Sequence, residues 1–287
     1  MSEQDIKSLL QKYGVRASKK YGQSFLKSSR VARDIVNFAG VTKEDTILEI
    51  GGGLGILTEE LLKVAKHVYV IEIEHGLVNA LSHILREYNN LEIIEGDALI
   101  IDLPEADKVV SNLPYSISSE ITFRLLHELK FKLAVLMFQK EFAQRLLALP
   151  GTQDYSRLTV NARYLADFQL LLEVPAEMFY PIPTVDSSVV MMQHRAQGPR
   201  AKDDSVFFWT INGIFSYPNK NLRKALKIWL RNIGVSKDLA DKIISNCGGV
   251  LSGENKLRTL RIEDLIQLSD IVFDLIDANQ LPGPMVK

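Results

Sequence analysis

The sequence is poor in the residues that tie a fold together covalently or through a metal. Cys247 is its only cysteine, which excludes an intrachain disulfide and a cysteine-based metal centre. The histidines, His67, His75, His83, His127 and His194, never recur at H-x-x-x-H spacing, so a zinc site of that kind is excluded as well. No apolar run approaches the ~18 residues that a membrane-spanning helix requires. The first residues are polar and lack the apolar core of a signal peptide. Internal repeats and low-complexity segments are absent too. These absences together lead to the expectation of a soluble, metal-free, cytoplasmic protein.

Net charge is nearly absent, at −1 over 287 residues, but the charges are not evenly spread. Residues 1–33 carry Lys7, Lys12, Arg16, Lys19, Lys20, Lys27, Arg30 and Arg33 against Glu3 and Asp5 alone. Residues 34–110 are strongly acidic. The stretch SYPNKNLRKALKIWLR (216–231) holds Lys220, Arg223, Lys224, Lys227 and Arg231 with no acid. A near-neutral total can hide a local cationic surface that suits a polyanion such as nucleic acid. The chain is 46% hydrophobic, enough to bury a sizeable core.

Strand-like and helix-like patterns alternate from residue 46 to about 140. TILEI (46–50), VYVIEI (68–73), LEIIEGD (91–97), KVVSN (108–112) and KLAVLMFQ (132–139) read as strands. Helical spacing separates them at 56–64, 76–87 and 119–128. This alternation predicts an α/β fold, an open parallel sheet with helices on both faces. SSVVMMQH (187–194) reads as one more strand, and RAQGPRAKDD (195–204) as a linker. Beyond it the pattern is helical, at 204–216, 221–232, 236–246 and 262–277. The boundaries that follow are a sheet domain over 1–196 and a smaller helical domain over 197–287.

Ligands of such sheets bind beyond the carboxyl ends of the strands, and those ends carry the distinctive residues. LEIGGGLGILT (48–58) sets Gly51, Gly53 and Gly55 between a strand and a helix, where glycine permits a tight turn and close approach of a ligand. A dinucleotide fingerprint would need glycine at 56, where Ile56 stands. Glu72 closes the second strand, placed to accept from ribose hydroxyls. Asp97 closes the third, placed to accept from an adenine amine. Either acid alone could be a helix cap. Asn112 ends the fourth strand, followed by Leu113, Pro114 and Tyr115. The exocyclic amine of adenine is a poor nucleophile because its lone pair is delocalised into the ring. The Asn112 side-chain oxygen and a main-chain carbonyl at Leu113 or Pro114 would grip its N–H groups and free that pair. Tyr115 would stack on the base once it had left its own stack.

The spaced set of glycine turn, two acids and Asn112 resembles the class I Rossmann-like methyltransferases that use S-adenosyl-L-methionine. Over nearly the whole chain the sequence resembles one family of them, the ribosomal RNA adenine dimethyltransferases, with the Erm resistance methyltransferases as relatives. KKYGQSFL (19–26), LEIGGGLGILTEEL, VIEIE, GDAL, NLPYSISSEI, MFQKEFAQRL (137–146), YSRLTV (155–160), FYPIPTVDSSVV (179–190) and LRIEDLIQLSDIV (260–272) carry the likeness. The resemblance implies that Ser24, Leu26, Gly51, Gly53, Glu72, Asp97 and Asn112 line the cofactor site. It also implies that Phe179 pairs with Tyr115 to sandwich the target adenine. Two departures stand out: Ser24 where the family usually has asparagine, and Pro218 and Asn219 where paired arginines are usual.

The implied activity is dimethylation at N6 of two adjacent adenosines in a hairpin near the 3′ end of small-subunit (16S) rRNA during ribosome biogenesis. The implied partner is the immature subunit, bound by a monomeric enzyme through Lys19, Lys20, Lys220, Arg223, Lys224 and Lys227. An Erm-type large-subunit target, or a non-catalytic assembly or transcription factor on the same fold, are the alternatives. Intact Glu72, Asn112 and Tyr115 speak against the latter.

Overall fold

The structure is a computed structural model, and it describes residues 1–15, 23–249 and 251–284. The chain forms two compact units, residues 1–143 with 166–194, and residues 144–165 with 195–287.

The first unit is built on a seven-stranded sheet. A first helix, α1 (Glu3–Lys12), is capped by Ser2, whose hydroxyl accepts from the Asp5 N–H. A two-residue strand, β1 (Phe25–Leu26), and helix α2 (Ser29–Phe38) follow. Then come β2 (Thr46–Ile50), α3 (Ile56–Val64), β3 (His67–Glu72), α4 (His75–Ile84), β4 (Leu91–Glu95), β5 (Lys108–Asn112), α5 (Ser118–Glu128) and β6 (Leu133–Gln139). The last strands are β7 (Ala166–Val174), β8 (Phe179–Tyr180) and β9 (Ser187–His194).

The sheet order is β4-β3-β2-β5-β6-β9-β7. The first five strands are parallel, whereas β9 runs antiparallel to both β6 and β7. The chain winds outward from β2 in one direction and from β5 in the other, so the crevice of the sheet lies between them. β2 and β5 pair only at Ile47↔Lys108 and Leu48↔Val109. Beyond that point the Ser111 hydroxyl bridges the gap, donating to the Ile50 carbonyl at 2.6 Å and accepting from its N–H at 3.3 Å. β2, β5 and β6 are fully buried over most of their length, which is why they read as unbroken apolar runs rather than alternating ones.

Two features differ from the sequence expectation. β1 and β8 form a ladder of their own, Phe25↔Tyr180 and Leu26↔Phe179, which joins the amino-terminal loop to the FYPIP segment. The expected domain boundary near 196 also leaves out a crossing: residues 144–165 pack with the second unit. There the helix Arg157–Leu165 buries Val160, Ala162 and Tyr164. Tyr164 stacks on Phe207 with ring centroids 4.0 Å apart, and the Tyr155 hydroxyl donates to the Leu260 carbonyl at 2.7 Å. The rest of that unit is helical, at Asp204–Ile214, Leu222–Asn232, Leu239–Asn246 and Ile262–Asp277. No helix among the described residues is long and apolar enough to cross a membrane.

Candidate active site

At the carboxyl edge of the sheet a pocket encloses about 1140 Å³, its mouth included. It is lined from four strand ends and from the amino-terminal segment, by Ser24, Phe25, Leu26, Gly51, Gly53, Glu72, Asp97, Asn112, Leu113, Pro114 and Tyr115 among others. Of the residues singled out in the sequence for cofactor and base, the fold gathers all but Phe179 around this one cavity.

The glycine loop is shaped by conformation and by contact. Gly51 has φ +77°, and a Cβ there would sit 3.0 Å from Pro114 Cγ. The turn after β2 and the NLPY turn after β5 are therefore packed to the point where only glycine fits. Gly53, at φ +57°, donates its N–H to Glu72 Oε2 at 3.1 Å. The other oxygen of Glu72 accepts from the N–H groups of Ile73 at 2.9 Å and Glu74 at 3.1 Å. The carboxylate thus clamps the glycine loop to the end of β3 as well as facing the pocket. Burial pushes its pKa up, against the three backbone donors. Asp97 Oδ1 accepts from the Leu99 N–H at 2.9 Å, so it closes its own turn while lining the cavity.

Asn112 ends β5, paired with Met137 on the β6 side. Its Oδ1 is buried and has no hydrogen-bond partner. An acceptor buried without a donor costs about 1–3 kcal/mol, a cost that a ligand amine would relieve. Pro114 fixes the turn at φ −58° and its carbonyl accepts from the Ile117 N–H at 3.2 Å. Tyr115 opens the short 3₁₀ turn Tyr115–Ile117, and its hydroxyl meets the Ser187 hydroxyl at 2.5 Å.

Phe179 is not at the pocket. It is fully buried in the sheet core with Leu26, Val174 and Val189. Tyr115 lines the pocket, whereas Phe179 does not. In the β1–β8 ladder successive side chains face opposite ways, and Phe179, paired with Leu26, belongs to the core cluster. Tyr180 takes the other side, where the Lys7 ammonium lies 5.3 Å from its ring centroid.

The basic residues have different surroundings. In the second unit Arg223 is ion-paired to Asp241 and, at 3.6 Å, to Glu254, and Lys227 reaches Asp241 at 3.0 Å. The acid-free stretch 216–231 therefore meets acids that follow it in the chain. Lys220 and Lys224 are exposed, and neither carries an ion pair among the described residues. Lys19 and Lys20 lie outside the described residues.

The sequence expectation passed over Glu49. It lines the pocket, is 1% exposed, and leaves Oε2 without a hydrogen-bond partner. The available signal was an acid inside the apolar run TILEI. Burial raises its pKa from an ordinary 4.5 to about 8, with the Glu72 charge adding to the rise. The folded state then holds a proton that the unfolded chain releases above pH ~4.5, so stability falls as pH rises from there towards 8. Calorimetry is expected to find Glu49→Gln melting with the wild type at pH 5 and above it at pH 8.5. Equal melting at both would place the Glu49 charge in water.

A family model described as Ribosomal RNA adenine dimethylase matches residues 14–271. The chain belongs to this family. Curated members of high similarity include two named as probable ribosomal RNA small subunit methyltransferase A. The protein from Methanosarcina mazei is 40% identical over 276 residues, 96% of this chain and 99% of the relative. That from Methanococcus maripaludis is 38% identical over 264 residues, 91% of this chain and all of the relative. Among solved structures, a dimethyladenosine transferase from Plasmodium falciparum has a TM-score of 0.77 at 31% identity, covering 89% of this chain and 98% of its own. The 23S rRNA methyltransferase ErmE has a TM-score of 0.65 at 26% identity, covering 87% and 99%. The dimethylase is therefore an enzyme, a methyltransferase, and its α/β sheet is the Rossmann-like one of that class.

Proposed function

We propose that this dimethylase transfers methyl groups from S-adenosyl-L-methionine to N6 of two adjacent adenosines in a hairpin near the 3′ end of small-subunit rRNA, within the immature subunit. The observation that carries the reading is the unpartnered Asn112 oxygen, buried at the crevice beside Tyr115. The naming of the archaeal relatives after the small subunit favours that target over the large-subunit alternative.

The pocket residues fit the methyl donor. Two buried polar oxygens, on Asn112 and Glu49, lack partners, and the glycine loop brings its backbone against the cavity. Glu72 and Asp97 offer acceptors to ribose hydroxyls and to the adenine amine of the donor, and Ser24 and Leu26 wall it on the amino-terminal side. When bound, the donor supplies an electrophilic methyl group on a sulfonium. The chain's own residues do the rest. Asn112 Oδ1 and the Leu113 carbonyl accept from the N–H groups of the target amine, since the Pro114 carbonyl is committed to its turn. Held twice, the amine is driven towards a pyramidal nitrogen with its lone pair out of the ring plane. Tyr115 stacks on the base and fixes its plane. The proton is lost from the methylated, cationic amine to water, so positioning rather than a strong base carries the catalysis. A monomethylated amine keeps one N–H and can be held again for the second transfer.

Mass spectrometry of small-subunit rRNA from cells with and without the protein tests the reading. Two adjacent dimethyladenosines that vanish with the protein are expected; unchanged rRNA would overturn it.

Glu72→Ala removes the clamp on the glycine loop and the ribose acceptor together. S-adenosyl-L-methionine affinity is expected to fall by about 2–3 kcal/mol, roughly 30- to 150-fold, by calorimetry on the folded variant. Unchanged affinity would remove Glu72 from the site. For RNA, neutralising Lys220 and Lys224 together is expected to reduce the log–log salt slope of binding by ~1–2. Neutralising Arg223 and Lys227 is expected instead to lower the melting temperature. An unchanged slope in the first variant would show that this face does not meet phosphate.

A further inference from the structure

We propose that Ser187 is a positioning residue of this active site: its hydroxyl fixes the long axis of the Tyr115 ring on which the target adenine stacks. The inference rests on the base-stacking role given to Tyr115 above. It adds a second residue, from the far end of the sheet order, that nothing in the NLPY turn itself supplies.

Tyr115 sits in a turn with little to hold it. The 3₁₀ segment Tyr115–Ile117 has no side-chain cap and no fully buried residue. An aromatic ring on such a turn has two free torsions, and a stack is productive only over a narrow range of them. Phe179 is buried in the core and does not line the pocket, so it does not brace the Tyr115 ring from the cavity side. The ring must be held from its own edge.

Ser187 is placed to do that, and its place follows from topology. β9 is antiparallel to the parallel strands, so its first residue arrives at the carboxyl edge where β5 and β6 end. Ser187 pairs with Gln139, the last residue of β6, on one side and with Val174, the last of β7, on the other. Its backbone is therefore fixed by ladders on both sides, and the residue is fully buried. From this rigid point its hydroxyl meets the Tyr115 hydroxyl at 2.5 Å, across 72 residues of sequence. Burial raises the Tyr115 pKa, so the phenol stays protonated at neutral pH and either hydroxyl can donate. A hydrogen bond at the para position, opposite the Cβ attachment, holds the long axis of the ring at both ends.

The test is a double-mutant cycle on the full-length enzyme with immature small subunits as substrate. Ser187→Ala and Tyr115→Phe each break the bond, and each is expected to lower kcat by about tenfold, the range for one neutral hydrogen bond. KM for the subunit and affinity for S-adenosyl-L-methionine should hold within about twofold, since phosphate contacts set the former. The double variant is expected to be no slower than either single variant, because the same bond is lost in all three. Ring-labelled tyrosine supplies a readout independent of catalysis. The Tyr115 resonance, assigned by its loss in Tyr115→Phe, is expected to shift and broaden in Ser187→Ala while the other tyrosines stay in place. Additive losses in the cycle, a wild-type kcat in Tyr115→Phe, or an unmoved Tyr115 resonance would each overturn the proposal. If Ser187→Ala does not fold, kcat of Tyr115→Phe alone decides. If the wild type leaves rRNA unmethylated, the proposed function fails, a result the wild-type control shows before any variant is compared.

Discussion

Asn112→Ala is expected to slow single-turnover methylation by about 10²–10³-fold, as for loss of one preorganised polar contact, and to leave the melting temperature unchanged or slightly raised. The pairing of those two outcomes follows from one observation. The Asn112 oxygen is buried at the crevice with nothing to accept from, so in the free enzyme it is a cost rather than a support. Its interaction forms with the target amine and strengthens as the lone pair is freed, which places the loss in the transition state. RNA affinity is expected to move little, because phosphate contacts set it. Rapid-quench methylation, filter binding and calorimetry read the three quantities. A variant that melts well below the wild type would mean that Asn112 has a partner in the folded protein and belongs to the scaffold.

Phe179→Ala is expected to show the reverse profile. The ring is fully buried among Leu26, Val174 and Val189, so its truncation leaves a core cavity that costs about 3–5 kcal/mol. Urea unfolding reads this directly. Below the melting transition the surviving folded fraction is expected to flip a 2-aminopurine probe at the target position, since the stacking role proposed above belongs to Tyr115. Wild-type stability together with a lost flipping signal would restore Phe179 to the base pocket and refute the burial assignment.

These two residues also mark where the sequence was legible and where it was not. Asn112, Glu72, Asp97 and the glycines could be placed because each follows an apolar run, and a parallel sheet gathers strand ends at one edge whatever the loops do. The strands TILEI, KVVSN and SSVVMMQH appear in the structure with the expected bounds because buried central strands advertise themselves as apolar runs. β8 could not be read in the same way. Two residues have no periodicity, and a motif says which residues are neighbours in the chain but not which way each side chain turns. Pairing with β1 decides that, and the partner lies far away in sequence. The ion pairs of Arg223 were hidden for a related reason. A local count of charge finds no acid within 216–231, whereas the acids that neutralise it, Asp241 and Glu254, come from later segments of the same unit. The shift of residues 144–165 to the helical unit likewise depends on tertiary partners, Phe207 for Tyr164 and the Leu260 carbonyl for Tyr155.

The β1–β8 ladder has a consequence for how the protein comes into being on the ribosome. Phe25 emerges early and Tyr180 late, with more than half of the chain made between them. The parallel strands β2 to β6 all lie within the first half of the chain and can pair before β8 is made. The amino-terminal wall of the pocket must wait, because closing so long a loop is entropically costly and two paired residues return little for it. Translation therefore delivers Asn112 and Tyr115 before it delivers the strand that completes their enclosure. A nascent chain halted before residue 179 would carry every residue of the NLPY turn, yet would have no β8 to seat Leu26 and Phe25 against the cavity.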